Sequence, residues 1–74
     1  MEIRKISVGL DCKDGAMHYI HGQSILNGTH KIHLIKMDEY GCIVIWIEND
    51  HKEVMQWKSF NINMPISIEY NINF

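Results

Sequence analysis

Residues 65–74 read Pro-Ile-Ser-Ile-Glu-Tyr-Asn-Ile-Asn-Phe, and apolar and polar side chains alternate along this stretch without a break. A period of two places the apolar side chains on one face of a β-strand and the polar ones on the other. Pro65 lacks an N–H and therefore fits the first position of such a strand. The stretch predicts a strand that closes a small β-domain.

Turn signals divide the rest of the chain into further short segments. Asn27-Gly28 indicates a hairpin, because both residues tolerate a positive φ, and Asp14-Gly15 indicates a second turn. Residues 16–21 form either a short strand or one helical turn. Because no segment holds a long apolar stripe of helical period, we expect an all-β fold, a small antiparallel sheet or partly open barrel of five to six strands. We expect a single β-domain over residues 1–74, with strands at 2–10, 29–36, 42–48, 53–60 and 65–74.

Composition narrows the class of protein. An apolar fraction of 46% favours a folded globule. Seven basic against nine acidic residues give a net charge of −2, which lacks the basic footprint of a dedicated nucleic-acid binder. Cys12 and Cys42 are expected to be free thiols, as in other cytosolic chains. The sequence shows neither a signal peptide nor a membrane span, so we expect a cytoplasmic protein without a membrane partner.

Segment 42–48 is apolar on both sides, and its pairing with its neighbours can be predicted. A tight turn at Asp50-His51 places Glu48 opposite Glu53, and a loop over 37–41 places Lys36 opposite Cys42. One face of the resulting three-stranded meander is then interpreted as the core. It collects Ile32, Leu34, Cys42, Val44, Trp46, Met55 and Trp57.

The opposite face of the meander is too apolar for free exposure to water. It collects Lys31, His33, Ile35, Ile43, Ile45, Ile47, Val54, Gln56 and Lys58. Two interpretations stay open: the N- and C-terminal strands cover this face within the monomer, or another molecule covers it. Under the second interpretation the candidate interface or ligand-binding residues are Lys31, His33, Ile35, Ile43, Ile45, Ile47 and Lys58.

Metal binding and catalysis are not favoured by the residue spacing. The pairs His18/His21 and His30/His33 are three residues apart, so on a strand the two members of each pair point to opposite faces. Cys12 lies among acidic residues, which disfavour a thiolate, and the second cysteine is expected to be buried. We therefore predict no enzyme, no catalytic residue, no metal and no cofactor.

Aromatic and basic side chains give an alternative function. Aromatic rings beside lysines could stack bases, as on barrels that bind single strands. A nucleotide-binding or single-strand-binding β-barrel is therefore the second hypothesis. The residues concerned are Tyr40, Trp46, Trp57, Phe60 and Tyr70, with Lys31, Lys36, Lys52 and Lys58.

Ile, Asn and Lys together supply about a third of the chain. In size and composition the sequence resembles the small accessory proteins of large tailed phages, of the host-takeover or defence-inhibitor type. The resemblance implies a non-catalytic binding protein that inhibits a host protein or sequesters a small host signalling ligand in the host cytoplasm. The apolar second face of the meander indicates that the chain self-associates as a homo-oligomer. A third hypothesis is that the chain is a structural component of a larger assembly.

Overall fold

The computed structural model describes residues 3–9, 17–61, 63 and 65–70. Within these ranges the chain forms antiparallel strands and no α-helix, which confirms the predicted all-β class. Residues 16–21 contain a strand, and the predicted hairpin at Asn27-Gly28 forms around a short 3-10 turn, Leu26–Gly28. The strands are β1 Ile3–Val8, β2 Met17–Ile20, β3 Ser24–Ile25, β4 His30–Met37, β5 Ile43–Asn49, β6 Val54–Phe60 and β7 Ile66–Tyr70.

The strands form two sheets, one of three strands in the order β2-β1-β7 and one of four in the order β3-β4-β5-β6. One of the two sheets is curled into a half-barrel. β7 returns to lie beside β1, so the predicted closing strand completes the three-stranded sheet as far as Tyr70. Seven strands form instead of five or six, in part because β3 has only two residues, too few to show a period. The predicted turn at Asp14-Gly15 and the continuation of β7 over 71–74 lie outside the described residues.

The hydrophobic core lies between the two sheets. Ile6 from β1 and Ile43 and Ile45 from β5 are fully buried, at 0% exposure. Burying a large aliphatic side chain stabilises the fold by about 1.5–3 kcal/mol, so these isoleucines account for much of the stability of so small a chain. The buried cluster contains Ile3, Ile6, Val8, Tyr19, Ile32, Ile35, Ile43, Ile45 and Ile47.

The structure reverses the predicted roles of the two faces of β5. Ile43, Ile45 and Ile47 point into the core, whereas Val44 and Trp46 lie on the opposite side of the four-stranded sheet. The core assignment of Leu34, Val44 and Trp46 was therefore wrong. Of the two interpretations of the Ile face, burial within the monomer is the one observed, and the covering residues come from β1, β2 and β7.

Two β-bulges explain why residues predicted to share a face are separated. The register shifts in β4 between Ile32 and Leu34, and in β6 around Trp57. An extra residue in one strand moves the residues beyond it to the other face. Ile32, Met55 and Trp57 therefore lie on the core side, contrary to the predicted grouping with Val44 and Trp46.

The turns also differ from the predicted register. Glu48 pairs with Val54 instead of Glu53, and Lys36 pairs with Val44 instead of Cys42. In the turn between β4 and β5, the Asp38 side chain accepts N–H bonds from Tyr40 at 2.8 Å and from Cys42 at 2.9 Å. The turn spans residues 38–42, one residue further along the chain than the predicted loop over 37–41, so Met37 lies opposite Ile43.

Candidate functional site

The solvent side of the four-stranded sheet, which we call the outer face, carries an unusual mixture of apolar and charged side chains. Cross-strand pairs define its membership, because directly opposed residues on neighbouring strands point to the same side. The outer face consists of Lys31, His33, Leu34, Lys36, Val44, Trp46, Glu48, Val54, Gln56 and Ser59.

The centre of the outer face is apolar. Leu34 on β4 lies directly opposite Trp46 on β5, and Val44 lies one pair further along, opposite Lys36. Leu34 and Trp46 are half-buried. Val44 is only 8% exposed although it points away from the core, so side chains of the outer face itself cover it. These three residues form an apolar stripe across the two central strands, with charged residues at each end.

An apolar groove of about 310 Å³ lies beside Trp46 at one end of the stripe. Its walls come from the ends of β4 and β5 and from the turn that joins them. The N–H bonds that the Asp38 carboxylate accepts hold that turn in place, as does the positive φ of 82° at Gly41. The groove is lined by Lys36, Met37, Asp38, Glu39, Val44 and Trp46.

The other end of the stripe is an ionic cluster around Glu48. The Glu48 carboxylate is 3.3 Å from Lys31 Nζ and 3.7 Å from His33 Nδ1. The hydrogen bond from Lys31 lowers the pKa of Glu48 below its ordinary value, and the nearby charges of Lys31, His33 and Lys52 act in the same direction. Glu48 is therefore an ionised group held at the rim of an apolar stripe.

Next to this cluster lies a polar cavity of about 310 Å³. Asn49 shapes one wall, since its side-chain oxygen accepts N–H bonds from His51 at 2.9 Å and Glu53 at 3.0 Å. The β3–β4 turn forms the opposite wall. The cavity has both signs of charge and two hydroxyl groups on its lining, which includes Ser24, Thr29, His30, Lys31, Glu48 and Lys52.

The structure divides the predicted site residues into two groups. Lys31 and His33 lie on the outer face, where His33 faces Glu48 and not, as predicted, Ile35 and Ile45. Lys58 lies opposite Ile45 on the inner side of β6, with its Nζ 4.9 Å from the ring centre of Trp57. The remaining four residues are buried in the monomer at 0–2% exposure, namely Ile35, Ile43, Ile45 and Ile47.

The burial of these four isoleucines removes the surface on which self-association had been predicted. Self-association stays a prediction, but that surface no longer supports it. β6, one of the two edge strands of this sheet among the described residues, is a poor replacement, because it carries a bulge at its centre and the inward-turned Lys58. Both features hinder the addition of another strand to a sheet edge.

The five predicted stacking aromatics do not form one platform. Trp57 and Phe60 pack against Tyr19, with ring centres 5.8 Å and 5.6 Å from the Tyr19 ring. Tyr40 is 82% exposed in the β4–β5 turn, and Tyr70 lies on β7 of the other sheet. Trp46 alone of the five belongs to the outer face.

The residues that sequence reasoning missed are Leu34, Val44 and Trp46, which it had placed in the core. A usable signal was present in β5. One side of this strand is entirely isoleucine, at 43, 45 and 47, whereas the side with Val44 and Trp46 continues to the charged Glu48. The face without a charged residue is the more favourable one to bury.

A second polar contact lies in the three-stranded sheet, away from the outer face. Ser7 Oγ and His18 Nδ1 are 2.8 Å apart and link β1 to β2. In the described part of the chain, no three His, Cys, Asp or Glu side chains come close enough to hold a metal ion. Cys42 is a half-buried free thiol, and Cys12 lies outside the described residues.

Comparisons with known proteins give no relative. No protein-family model matches the chain, and neither the curated proteins nor the solved structures include a match. Among the described residues, no helix has the length and apolar character needed to cross a membrane.

Proposed function

We propose that this chain is a non-catalytic binding protein that attaches to a partner protein through its outer face. The observation that carries the proposal is the apolar stripe of Leu34, Val44 and Trp46 on the solvent side of the sheet, with charged residues around it. Protein interfaces have this anatomy, an apolar centre with few charges and a polar rim. Tryptophan is enriched among the residues that dominate binding energy.

The groove beside Trp46 supports a protein partner in particular. A side chain from the partner can enter this groove, contact Trp46 and Val44, and remain close to the carboxylates of Asp38 and Glu39. In a protein interface, buried apolar contacts provide most of the affinity and polar groups at the rim fix the orientation of the partner.

The biological role that we propose is inhibition or sequestration by occupancy of the partner in the cytoplasm. The resemblance to small phage accessory proteins makes a host protein the first partner to look for. A rigid two-sheet scaffold suits this role, because a preformed face loses little conformational freedom on binding.

A second candidate function is the binding of a nucleotide or a single-stranded nucleic acid. It is favoured by the positions of Lys31 and Lys36, which lie on the same face as Trp46. Lysines near a half-buried ring are an arrangement that can hold a phosphate while the base stacks. The carboxylate of Glu48, which pairs with Lys31 on this face, opposes a polyanionic ligand.

The test is affinity purification of tagged protein from cells of its source or host, followed by mass spectrometry. Wild type is compared with Trp46→Ala and with Tyr40→Ala, which removes an exposed aromatic ring outside the outer face. We expect a protein that co-purifies with wild type and with Tyr40→Ala but is lost with Trp46→Ala. Circular dichroism melts must show all three to be folded.

Two results would contradict the proposal. A set of captured proteins that Trp46→Ala leaves unchanged would mean that the outer face is not the binding surface. Co-purified nucleotide or nucleic acid that depends on Trp46, with no dependent protein, would establish the second candidate in place of the first.

A further inference from the structure

The groove beside Trp46 has room for a single side chain of a partner. Its volume of about 310 Å³ lies at the lower end of the roughly 300–1,000 Å³ found for ligand pockets. Val44, which is 8% exposed, and the half-buried Trp46 both line it. The apolar surface that meets an incoming group therefore consists of an indole ring and an aliphatic side chain.

The two tryptophans of the chain differ in their contact with cations. Lys58 lies over Trp57, with its Nζ 4.9 Å from the ring centre, and within the described ranges no cation is seen over the ring of Trp46. A positive charge is attracted to the negative face of an aromatic ring, and tryptophan is the best partner for this contact. The indole of Trp46 is therefore accessible to a cation from another molecule.

Carboxylates stand at the turn end of the groove. Asp38, Glu39 and Lys36 line it together, and two carboxylates with one ammonium give this lining a net charge of −1. One oxygen of Asp38, Oδ1, accepts the N–H bonds of Tyr40 and Cys42, which fix the carboxylate in place. An indole beside fixed negative charge is complementary to a cationic side chain and less so to a neutral one.

We propose that the partner protein inserts an arginine into this groove, with its guanidinium against Trp46 and its N–H groups donating to the carboxylates of Asp38 and Glu39. This inference rests on the proposed function, since it names the group that the same face takes from the same partner. Arginine suits the groove better than lysine, because its guanidinium is planar and weakly hydrated and carries five donors. Lys36 opposes a second cation, so we expect one arginine and not a basic cluster.

The test uses small probes of defined structure. N-acetyl-arginine N-methylamide presents the side chain as a protein does, and N-acetyl-citrulline N-methylamide has nearly the same shape without the charge. Each is titrated into wild-type protein while the amide and indole N–H resonances are followed by NMR. We expect the arginine probe to shift the Trp46 indole and the amides of 36–39 saturably, and the citrulline probe to bind about tenfold more weakly. Added salt should weaken binding of the arginine probe alone.

Glu39→Gln removes one carboxylate of the groove and keeps the shape of the side chain. We expect it to weaken binding of the arginine probe about two- to fivefold and to leave binding of the citrulline probe unchanged. Glu53→Gln is the matched control, because it makes the same change of charge in the β5–β6 turn, outside the lining of the groove. Its affinity for the arginine probe should equal that of wild type.

Trp46→Ala should abolish saturable binding of the arginine probe. Mapping of the shifts and the comparison with citrulline need only the wild type, so they decide the question even if this variant does not fold. The inference is overturned if the arginine probe gives no saturable shift, or if its shifts map away from the groove. Equal binding of the citrulline probe or of N-acetyl-leucine N-methylamide also overturns it. Tighter binding of free L-arginine than of the capped probe would assign the groove to a small metabolite instead of a protein side chain.

Failure of the inference and failure of the proposed function are distinguishable. If the arginine probe does not bind while capture of a protein still depends on Trp46, the outer face binds its partner through another group. If the probe binds in the groove and no captured protein depends on Trp46, the groove recognises a guanidinium and the proposed function fails.

Discussion

The two faces of β5 have similar sequences and different environments. One face is formed by Ile43, Ile45 and Ile47, all at 2% exposure or less, and the other by Val44, Trp46 and Glu48. The first face is covered by the three-stranded sheet. On the second face Val44 and Glu48 are each 8% exposed and Trp46 is half-buried. A strand that is apolar on both sides therefore has one face in the core and one on the solvent side of the four-stranded sheet.

The proposed binding surface would place few demands on the core of this small chain, because it lies on the opposite side of β5 from the buried isoleucines. Among the described residues, Lys36 and Trp46 border Val44, which is 8% exposed. Long side chains can shield apolar surface in this way and still be displaced by a partner.

The largest expected effect comes from placing a charge on the buried face of β5. Ile45→Lys should unfold the protein, because a lysine ammonium at a site of 0% exposure has no partner and no access to water. The penalty of several kcal/mol is comparable with the roughly 4–11 kcal/mol expected for the whole stability of a domain of this size. Circular dichroism should show the loss of a cooperative melt.

Trp46→Lys is the matched control on the adjacent residue, and it places the same charge on the outer face. We expect a folded protein with a moderately lowered melting temperature, since water reaches the new ammonium group. If Ile45→Lys melted cooperatively and Trp46→Lys did not, the assignment of the two faces would have to be exchanged.

A smaller effect is expected from the aromatic residue that covers the inner face of the sheet. Tyr19 on β2 packs edge-on against Trp57, with an interplanar angle of 80°, and also contacts Phe60. Tyr19→Ala should lower the free energy of unfolding by about 3–5 kcal/mol, as expected for the loss of a large buried aromatic side chain. Urea denaturation gives the value.

Tyr40→Ala provides the comparison for Tyr19→Ala, because Tyr40 is 82% exposed. Its effect on stability should stay within about 0.5 kcal/mol. Equal effects of the two substitutions would mean that Tyr19 does not join the two sheets.

The difference between the two faces of β5 also shows how far sequence reasoning reaches here. The all-β class and the positions of β4, β5, β6 and β7 follow from local signals, namely apolar alternation and turn residues. The face assignment depends on register, which one extra residue can change. The bulges after Ile32 in β4 and at Trp57 in β6 leave no local mark in the sequence, so the correct grouping could not be read from alternation.

The candidate site was predictable only in part for the same reason. Lys31 and His33 were predicted and lie on the outer face, but the hydrophobic residues grouped with them are in the core. The positive φ of 51° at Leu26 had no sequence signal beyond the following Asn27-Gly28 pair. A positive φ at a leucine results from the hairpin that closes around it, and that is a tertiary effect.

The smallest expected effect concerns the ionic end of the outer face. Glu48 has a pKa lowered by the hydrogen bond from Lys31, so its ionised form stabilises the folded protein. When the pKa of a carboxyl group is lower in the folded than in the unfolded state, this stabilisation is complete above the unfolded-state pKa of about 4.3. It is lost as the pH falls through the folded-state pKa. Glu48→Gln lacks it at every pH. Urea midpoints should therefore differ between wild type and Glu48→Gln at neutral pH and converge in acid.

Lys31→Met tests the assigned cause of this pH dependence. Without the hydrogen bond from Lys31, the pKa of Glu48 should move back toward its ordinary value, and the loss of stability on acidification should begin at a higher pH. His33 and Lys52 stay in place in this variant, so a part of the shift should remain. If the midpoints of wild type and Lys31→Met followed the same pH curve, Lys31 would not be the group that holds Glu48 ionised. The lowered pKa of Glu48 would then be caused by charged groups other than Lys31.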